Sequence, residues 1–291
     1  MSLNISTNTA AYRAGSNLAL NQTRLQKSFD RLSSGSRLTS PVDNPGGLAV
    51  SMKLSAAINR ISGAQSNVQN AISFMEVQDG MLDTVGKIVD RVSELKGLAS
   101  QDPMKSDQDR ASYNNEFKDL QAQLFDISKM KFNGVSLFAQ HQTGGGEALF
   151  GGSAQSASRD NTLTIFTSAD GAAGSKVSLH KSVLLSALTF NTNTLANSAY
   201  SDGANGSGDG DETTAFVATF ATQSGGNFLD LADISVGVIT QALENVAFLR
   251  AQNGGVHSRL AFNSESLTQQ KTNMRAALGR MVDVDIAEET T

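Results

Sequence analysis

Apolar residues return every seven positions through two long stretches of this chain. Leu54, Ile61, Val68, Met75, Leu82 and Val89 stand seven apart, and three positions after each come Ala57, Ala64, Ala71, Gln78, Val85 and Val92. An a/d seam sustained this long, with one polar interruption, predicts a coiled-coil-like helix over about 47–99. Near the other end Ile239, Val246, Asn253, Leu260, Leu267, Met274 and Met281 repeat the spacing. Their d partners are Ala242, Leu249, Val256, Asn263, Gln270, Ala277 and Val284. The polar members Asn253, Asn263 and Gln270 are expected to cost stability and to set register. Shorter seams run through Leu18, Leu25, Phe29 and Leu32, and through Tyr113, Phe117, Leu120, Leu124 and Ile127.

The punctuation agrees with these segments. Gly35 follows Ser33-Ser34 where a left-handed cap would close the first helix. Asp43-Asn44-Pro45 reads as a cap followed by proline in the first turn, and Gln101-Asp102-Pro103 as a stop. Phe132-Asn133-Gly134-Val135 carries an Asn-Gly hairpin turn. Between about 140 and 226 the chain turns to Gly, Ser, Thr and Asn, with strand-like runs at Leu163–Phe166 and Ala215–Phe220. The expected architecture is mainly α with a β-containing insertion: an elongated antiparallel coiled-coil-like helical bundle from both chain ends, plus a small middle domain. The expected boundaries are 1–42 for an N-terminal helix and 43–139 for the first half of a helical rod with a hairpin near 132–138. A variable middle domain follows over 140–227, and the returning rod helix over 228–291.

Composition narrows the function. Aromatic residues are 6% of the 291, and there is no Trp or Cys. Long seams of Leu, Ile, Val, Met and Ala are then the natural core, and thiolate chemistry is excluded. The net charge of −5 argues against binding nucleic acid through phosphate neutralisation. No apolar run approaches the length of a membrane span. The opening residues lack the basic and apolar regions of a secretory signal. His141, His180 and His257 share no ligand spacing, and Asp283, Asp285, Glu288 and Glu289 read as a solvated helix end. No catalytic pair emerges. One loop carries candidate metal chemistry. Asn205, Ser207, Asp209 and Asp211 place oxygen ligands at positions 1, 3, 5 and 7 of a calcium-type loop, with Gly210 at position 6. Phe216 stands at position 12, so the loop is not an EF-hand.

Several short motifs then occur in a telling order: Asn4-Ile-Ser-Thr-Asn8, Arg31-Leu-Ser-Ser-Gly-Ser-Arg37, Asp43-Asn44, Gly47-Leu-Ala-Val50, Gln78-Asp-Gly80, Arg91-Val-Ser-Glu-Leu95 and Phe132-Asn-Gly-Val135, with Met281-Val-Asp-Val-Asp-Ile-Ala-Glu-Glu289 near the end. Over roughly 1–140 and 228–291 the chain resembles bacterial flagellins. Pro41-Val42 and Pro45-Gly46 depart from the family's pattern toward the hook–filament junction proteins. The resemblance implies a non-enzymatic, self-assembling filament subunit, located outside the cell and exported without a cleaved signal by the flagellar apparatus with a chaperone. It also implies a Toll-like receptor 5-type partner in an animal host, engaged through Arg91, Leu95 and Glu116. Flagellins continue past the acidic stretch into a further helix that pairs with the first one. The sequence here stops at Thr290-Thr291, so a chain lacking that core helix is expected. The alternative reading is a cell-surface homologue whose middle domain binds an acidic polysaccharide through calcium, with Lys176 and Lys181 nearby.

Overall fold

A computed structural model describes residues 9–100, 105–139, 162–191, 217–222 and 228–290. The opening Asn4–Asn8 motif, the Gln101–Pro103 stop, His141 and the candidate calcium residues Asn205, Ser207, Asp209 and Asp211 lie outside them.

Helix α1 spans Thr9–Ser34, α2 Pro45–Ser100, α3 Asp107–Ser128 and α5 Val236–Val282, with short turns α4 at Leu184–Ala187 and α6 at Ile286–Glu289. The cap residues anticipated above hold these boundaries. Asn44 Oδ1 accepts from the Gly47 amide at 2.8 Å, and the Asn44 carbonyl accepts from Leu48 at 2.9 Å. Pro45 occupies the first helical position, where a missing N–H costs nothing. A Cβ on Gly47 would come within 2.8 Å of Asn44 Nδ2, so the cap and the glycine fit only together. Gly35 has φ +66° and ends α1. Ser106 and Asp109 form a reciprocal capping box at the start of α3.

The strands form three separate antiparallel pairs: Lys131–Phe132 (β1) with Val135–Ser136 (β2), Thr162–Phe166 (β3) with Lys176–His180 (β4), and Thr189–Asn191 (β5) with Val217–Thr219 (β6). Positive φ at both Asn133 (49°) and Gly134 (81°) gives the β1–β2 turn the mirror-image type that matches strand twist.

Two compact units divide the described chain, one made of 9–66, 168–174 and 265–290, the other of 67–100, 105–139, 162–167, 175–191, 217–222 and 228–264. This division cuts across the expected domain boundaries. The strands of the middle region belong to the same unit as α3 and the adjoining halves of α2 and α5, and the first helix shares a unit with the start of α2. The reason is visible in the second unit's core. Phe220, beyond β6, meets Phe117 of α3 and Phe190 of β5 edge to face, with ring centroids 6.3 and 4.9 Å apart. The segment 229–231 is fastened to α3 by Gln121, which donates to the Leu229 carbonyl (2.8 Å) and accepts from its amide (3.0 Å), and by Asn114, which accepts from the Leu231 amide.

The seam is real, with exceptions. Ile61, Val68, Met75, Leu82 and Val89 of α2 are buried, as are Ile239, Val246, Leu260 and Leu267 of α5. Leu54 and Met274 are half-buried. Gln78 and Asn253 are buried polar members, as their seam positions require. Asn263 is half-buried and bonds its own helix at the Arg259 carbonyl. Gln270 corrects the expectation. It is exposed and bonds Ser266, so it sets no register.

Candidate interaction surfaces

Surface rather than pocket chemistry distinguishes α1. Its 26 residues include none that is buried. Leu18, Leu25 and Phe29 are 67%, 59% and 61% exposed, and with Leu32 they fall on one stripe of the helix. A stripe this apolar on a water-facing helix is what an assembly contact looks like before its partner arrives.

The end of α1 is tied to the end of the chain within the first unit. Ser36 and Asp283 form an antiparallel bridge. The Arg37 amide donates to the Val282 carbonyl at 2.7 Å, and Val284 donates to Gly35 at 3.2 Å. Arg31 pairs with Glu289 at 3.2 Å, and Lys27 with Asp43 at 2.5 Å. Hydrogen bonding to Lys27 holds the Asp43 carboxyl below the usual carboxylate range. The Arg-Leu-Ser-Ser-Gly-Ser-Arg motif and the acidic Asp283–Glu289 stretch thus meet in space, which their separation in sequence could not show.

The residues expected to face a receptor divide. Arg91 Nε donates to Glu116 Oε1 at 2.8 Å, and its Nη1 to Glu94 Oε2 at 2.6 Å. The hydrogen bonds that it donates to Glu116 and then to Glu94 raise the guanidinium's pKa. Arg91 and Glu116 are each about 40% exposed at their side chains and form one patch on α2 and α3. Leu95 is a correction. It is wholly buried, so in this fold it contributes core packing rather than a surface contact. The seventh-residue arithmetic would assign the seam position to Lys96. That side chain instead sends its ammonium to the Leu231 and Ala232 carbonyls at 2.7 and 3.1 Å, and burial pushes its pKa down.

Within the second unit, Arg250 of α5 grips two carboxylates of α2. Its Nε and Nη2 reach Asp79 at 3.1 and 3.2 Å, and Nη1 reaches Asp83 at 2.8 Å. Lys87 adds a cation at 2.8 Å from Asp83. His257 Nε2 stands 4.0 Å from Glu76, an ion pair only when the imidazole is protonated. Sequence reasoning foresaw none of these pairings, because pairing across helices depends on register. Among the described residues no three His, Asp or Glu side chains gather as a metal set, and no helix is long and apolar enough to cross a membrane.

Comparison with known proteins follows the same geography. The Bacterial flagellin N-terminal helical region matches residues 5–143, and the Bacterial flagellin C-terminal helical region matches residues 236–291. A flagellin of Halalkalibacterium halodurans is 36% identical over 116 residues, covering 40% of this chain and 42% of that protein, so this alignment spans less than half of the relative. Flagellin FlaB1 of Treponema pallidum is 26% identical over 290 residues, covering 98% of this chain and 88% of its own length. The flagellin of Bacillus subtilis is 26% identical over 302 residues, covering 99% and 89%. The matched regions contain α1, α2 and α3 on one side and α5 and α6 on the other, the helices that carry the seams and the joined motifs. The chain belongs to the bacterial flagellin family, the structural proteins of the flagellar filament.

Proposed function

We propose that the chain enters its filament by covering the apolar face of α1. The single observation behind this reading is a 26-residue helix without one buried residue and with Leu18, Leu25 and Phe29 turned to water. Each such side chain contributes roughly 1.5–3 kcal/mol when removed from water, and helical symmetry repeats that gain at every subunit. The partners are other flagellin subunits. The filament lies outside the cell, and delivery is by the flagellar export apparatus and a chaperone, as the family implies. Seeded polymerisation of the full-length protein tests the assembly surface. The double substitution Leu25→Ser and Phe29→Ser should leave the melting temperature of the monomer within about 2 °C, since neither residue is packed, while filament growth stops. Growth at the parent's rate would place the assembly contact elsewhere.

A second surface supports a second reading. The Arg91–Glu116 patch presents an arginine with its orientation already set by two carboxylates, the form in which arginine anchors an interface. A Toll-like receptor 5-type ectodomain is the partner this patch would meet, through Arg91 and Glu116 and without Leu95. Arg91→Ala should weaken that binding by about 1–3 kcal/mol, as read by surface plasmon resonance. An unchanged affinity removes the patch from the interface.

A further inference from the structure

Asparagine followed by glycine is a pairing in which a side chain reacts with its own backbone. The glycine amide nitrogen closes a five-membered ring on the asparagine Cγ, an intramolecular attack that no Cβ on the glycine obstructs. The chain carries this pairing at Asn133-Gly134, Asn205-Gly206 and Asn253-Gly254. The second lies outside the described residues, and the structure separates the other two. Asn253 is 4% exposed, and its Oδ1 accepts from Ser182 at 3.4 Å. Gly254 lies inside α5, where its amide belongs to the helical ladder. Both reacting groups are held there. Asn133 and Gly134 are exposed instead. They sit between the paired residues Phe132 and Val135, outside the β1–β2 ladder. Among the described residues nothing bonds the Asn133 carboxamide or the Gly134 amide. The mirror-image turn that requires Asn-Gly, with φ of 49° and 81°, thus leaves both reacting groups in water.

We propose that Asn133 is a self-modifying site whose only co-reactant is water. Hydroxide takes the Gly134 amide proton, and the nitrogen attacks Asn133 Cγ. The new N–Cγ bond forms as the Cγ–NH2 bond breaks, and ammonia leaves with a proton from water. Water then opens the succinimide. Attack at Cγ gives an aspartate, and attack at the main-chain carbonyl gives an isoaspartate, whose backbone runs through the side-chain methylene. In sum an amide and a water become a carboxylate and an ammonium, with no oxidation or reduction. Either product places a negative charge at the hairpin tip. Isoaspartate also lengthens the two-residue loop by one backbone atom, which breaks the match between Phe132 and Val135. The Phe132 ring, packed edge to face on Phe74 at 6.2 Å, then loses its seat. The hairpin therefore loosens with the age of the subunit, while the helical Asn253-Gly254 pair does not react.

Ageing the folded full-length protein at mildly alkaline pH, followed by digestion and mass spectrometry of the peptides, tests this. An isoaspartyl methyltransferase labels the isomer. The peptide holding Asn133 should gain the mass of NH2 exchanged for OH, largely as isoaspartate, at least tenfold faster than the peptide holding Asn253. Its rate should rise with pH, because the attacking group is the deprotonated amide. Aged in urea, where burial and the helical ladder are gone, the two peptides should react within about threefold of each other. Modification of Asn133 in the folded chain no faster than that of Asn253 overturns the proposal. So does aspartate without isoaspartate, which would mean direct hydrolysis of the side chain. Rates that stay tenfold apart in urea overturn it as well, since the fold would then not be what separates the two sites.

Discussion

Arg91 and Leu95 lie four residues apart on one helix and do opposite things. The arginine stays at the surface between two carboxylates, while the leucine has no exposed area. Heptad spacing describes a helix packed against one neighbour. At this end of α2 the segment 229–232 and α3 also approach, through Lys96 and Arg91, so Val85, Ile88, Val89, Val92 and Leu95 are all buried. Leu95→Ala should therefore destabilise the folded chain by about 2–5 kcal/mol, the range for emptying a core leucine site. Arg91→Ala should cost under about 1 kcal/mol, as for a pair of exposed charges. Urea unfolding curves measure both. A leucine variant as stable as the arginine variant would return Leu95 to the surface.

Helices α1 and α2 show how differently one kind of pattern can end. Both carry apolar residues at helical spacing. In α2 that face is packed, and in α1 it is open. An isolated helix of this length is marginal in water, because propensity alone barely repays nucleation. Its last turns are tied down by Lys27–Asp43 and Arg31–Glu289. Amides of α1 before Lys27 should accordingly exchange with solvent within seconds in the monomer, whereas those of α2 around Val68–Val92 should be protected nearly to the global unfolding free energy. Hydrogen exchange read by mass spectrometry decides this, and strong protection of α1 in dilute monomer would mean that its apolar face is already covered. After assembly the same α1 amides should become protected.

The molecule's response to acid follows from its carboxylates. Asp230 is held below the ordinary range, first by Lys118 and then by Asn114, and Asp83 by Lys87. A group whose folded pKa is depressed stabilises the fold fully above its unfolded pKa, and that contribution is lost as pH falls through the folded value. Stability should thus decline below about pH 4, the ordinary aspartate range. Asp233 works the other way. Burial, and then the neighbouring Asp230, raise its pKa. It favours the fold when protonated, and this preference disappears as pH rises through the raised value. At pH 7 its charge is a cost. Asp233→Asn should raise the melting temperature at pH 7, and the difference from the parent should vanish at pH 3. A variant less stable than the parent at pH 7 would show that Asp233 has a compensating partner when ionised.

What could be known from the residues alone was whatever depends on near neighbours in the chain. Seven-residue repeats are local, so the spans of α2 and α5 and the identity of most seam residues follow from spacing. Caps and turns are local as well. Asn44-Pro45, Gly35 and Asn133-Gly134 act through backbone geometry within four residues, and each stands where it was expected. The flagellin motifs were legible for the same reason. Pairing between distant segments was decided only by the tertiary structure, because a contact's sign depends on register, and one residue of shift moves a side chain by 100° around a helix. Hence Gln270 lies outside the seam and Leu95 inside the core, Arg250 finds Asp79 and Asp83, and the middle strands join the helices' core through Phe220, Phe190 and Phe117. The exposure of α1 also belongs to that second class. A stripe of Leu18, Leu25, Phe29 and Leu32 announces that an apolar face will be buried. Only the folded chain shows that Leu18, Leu25 and Phe29 stay exposed among its described residues, while Leu32 is half-buried.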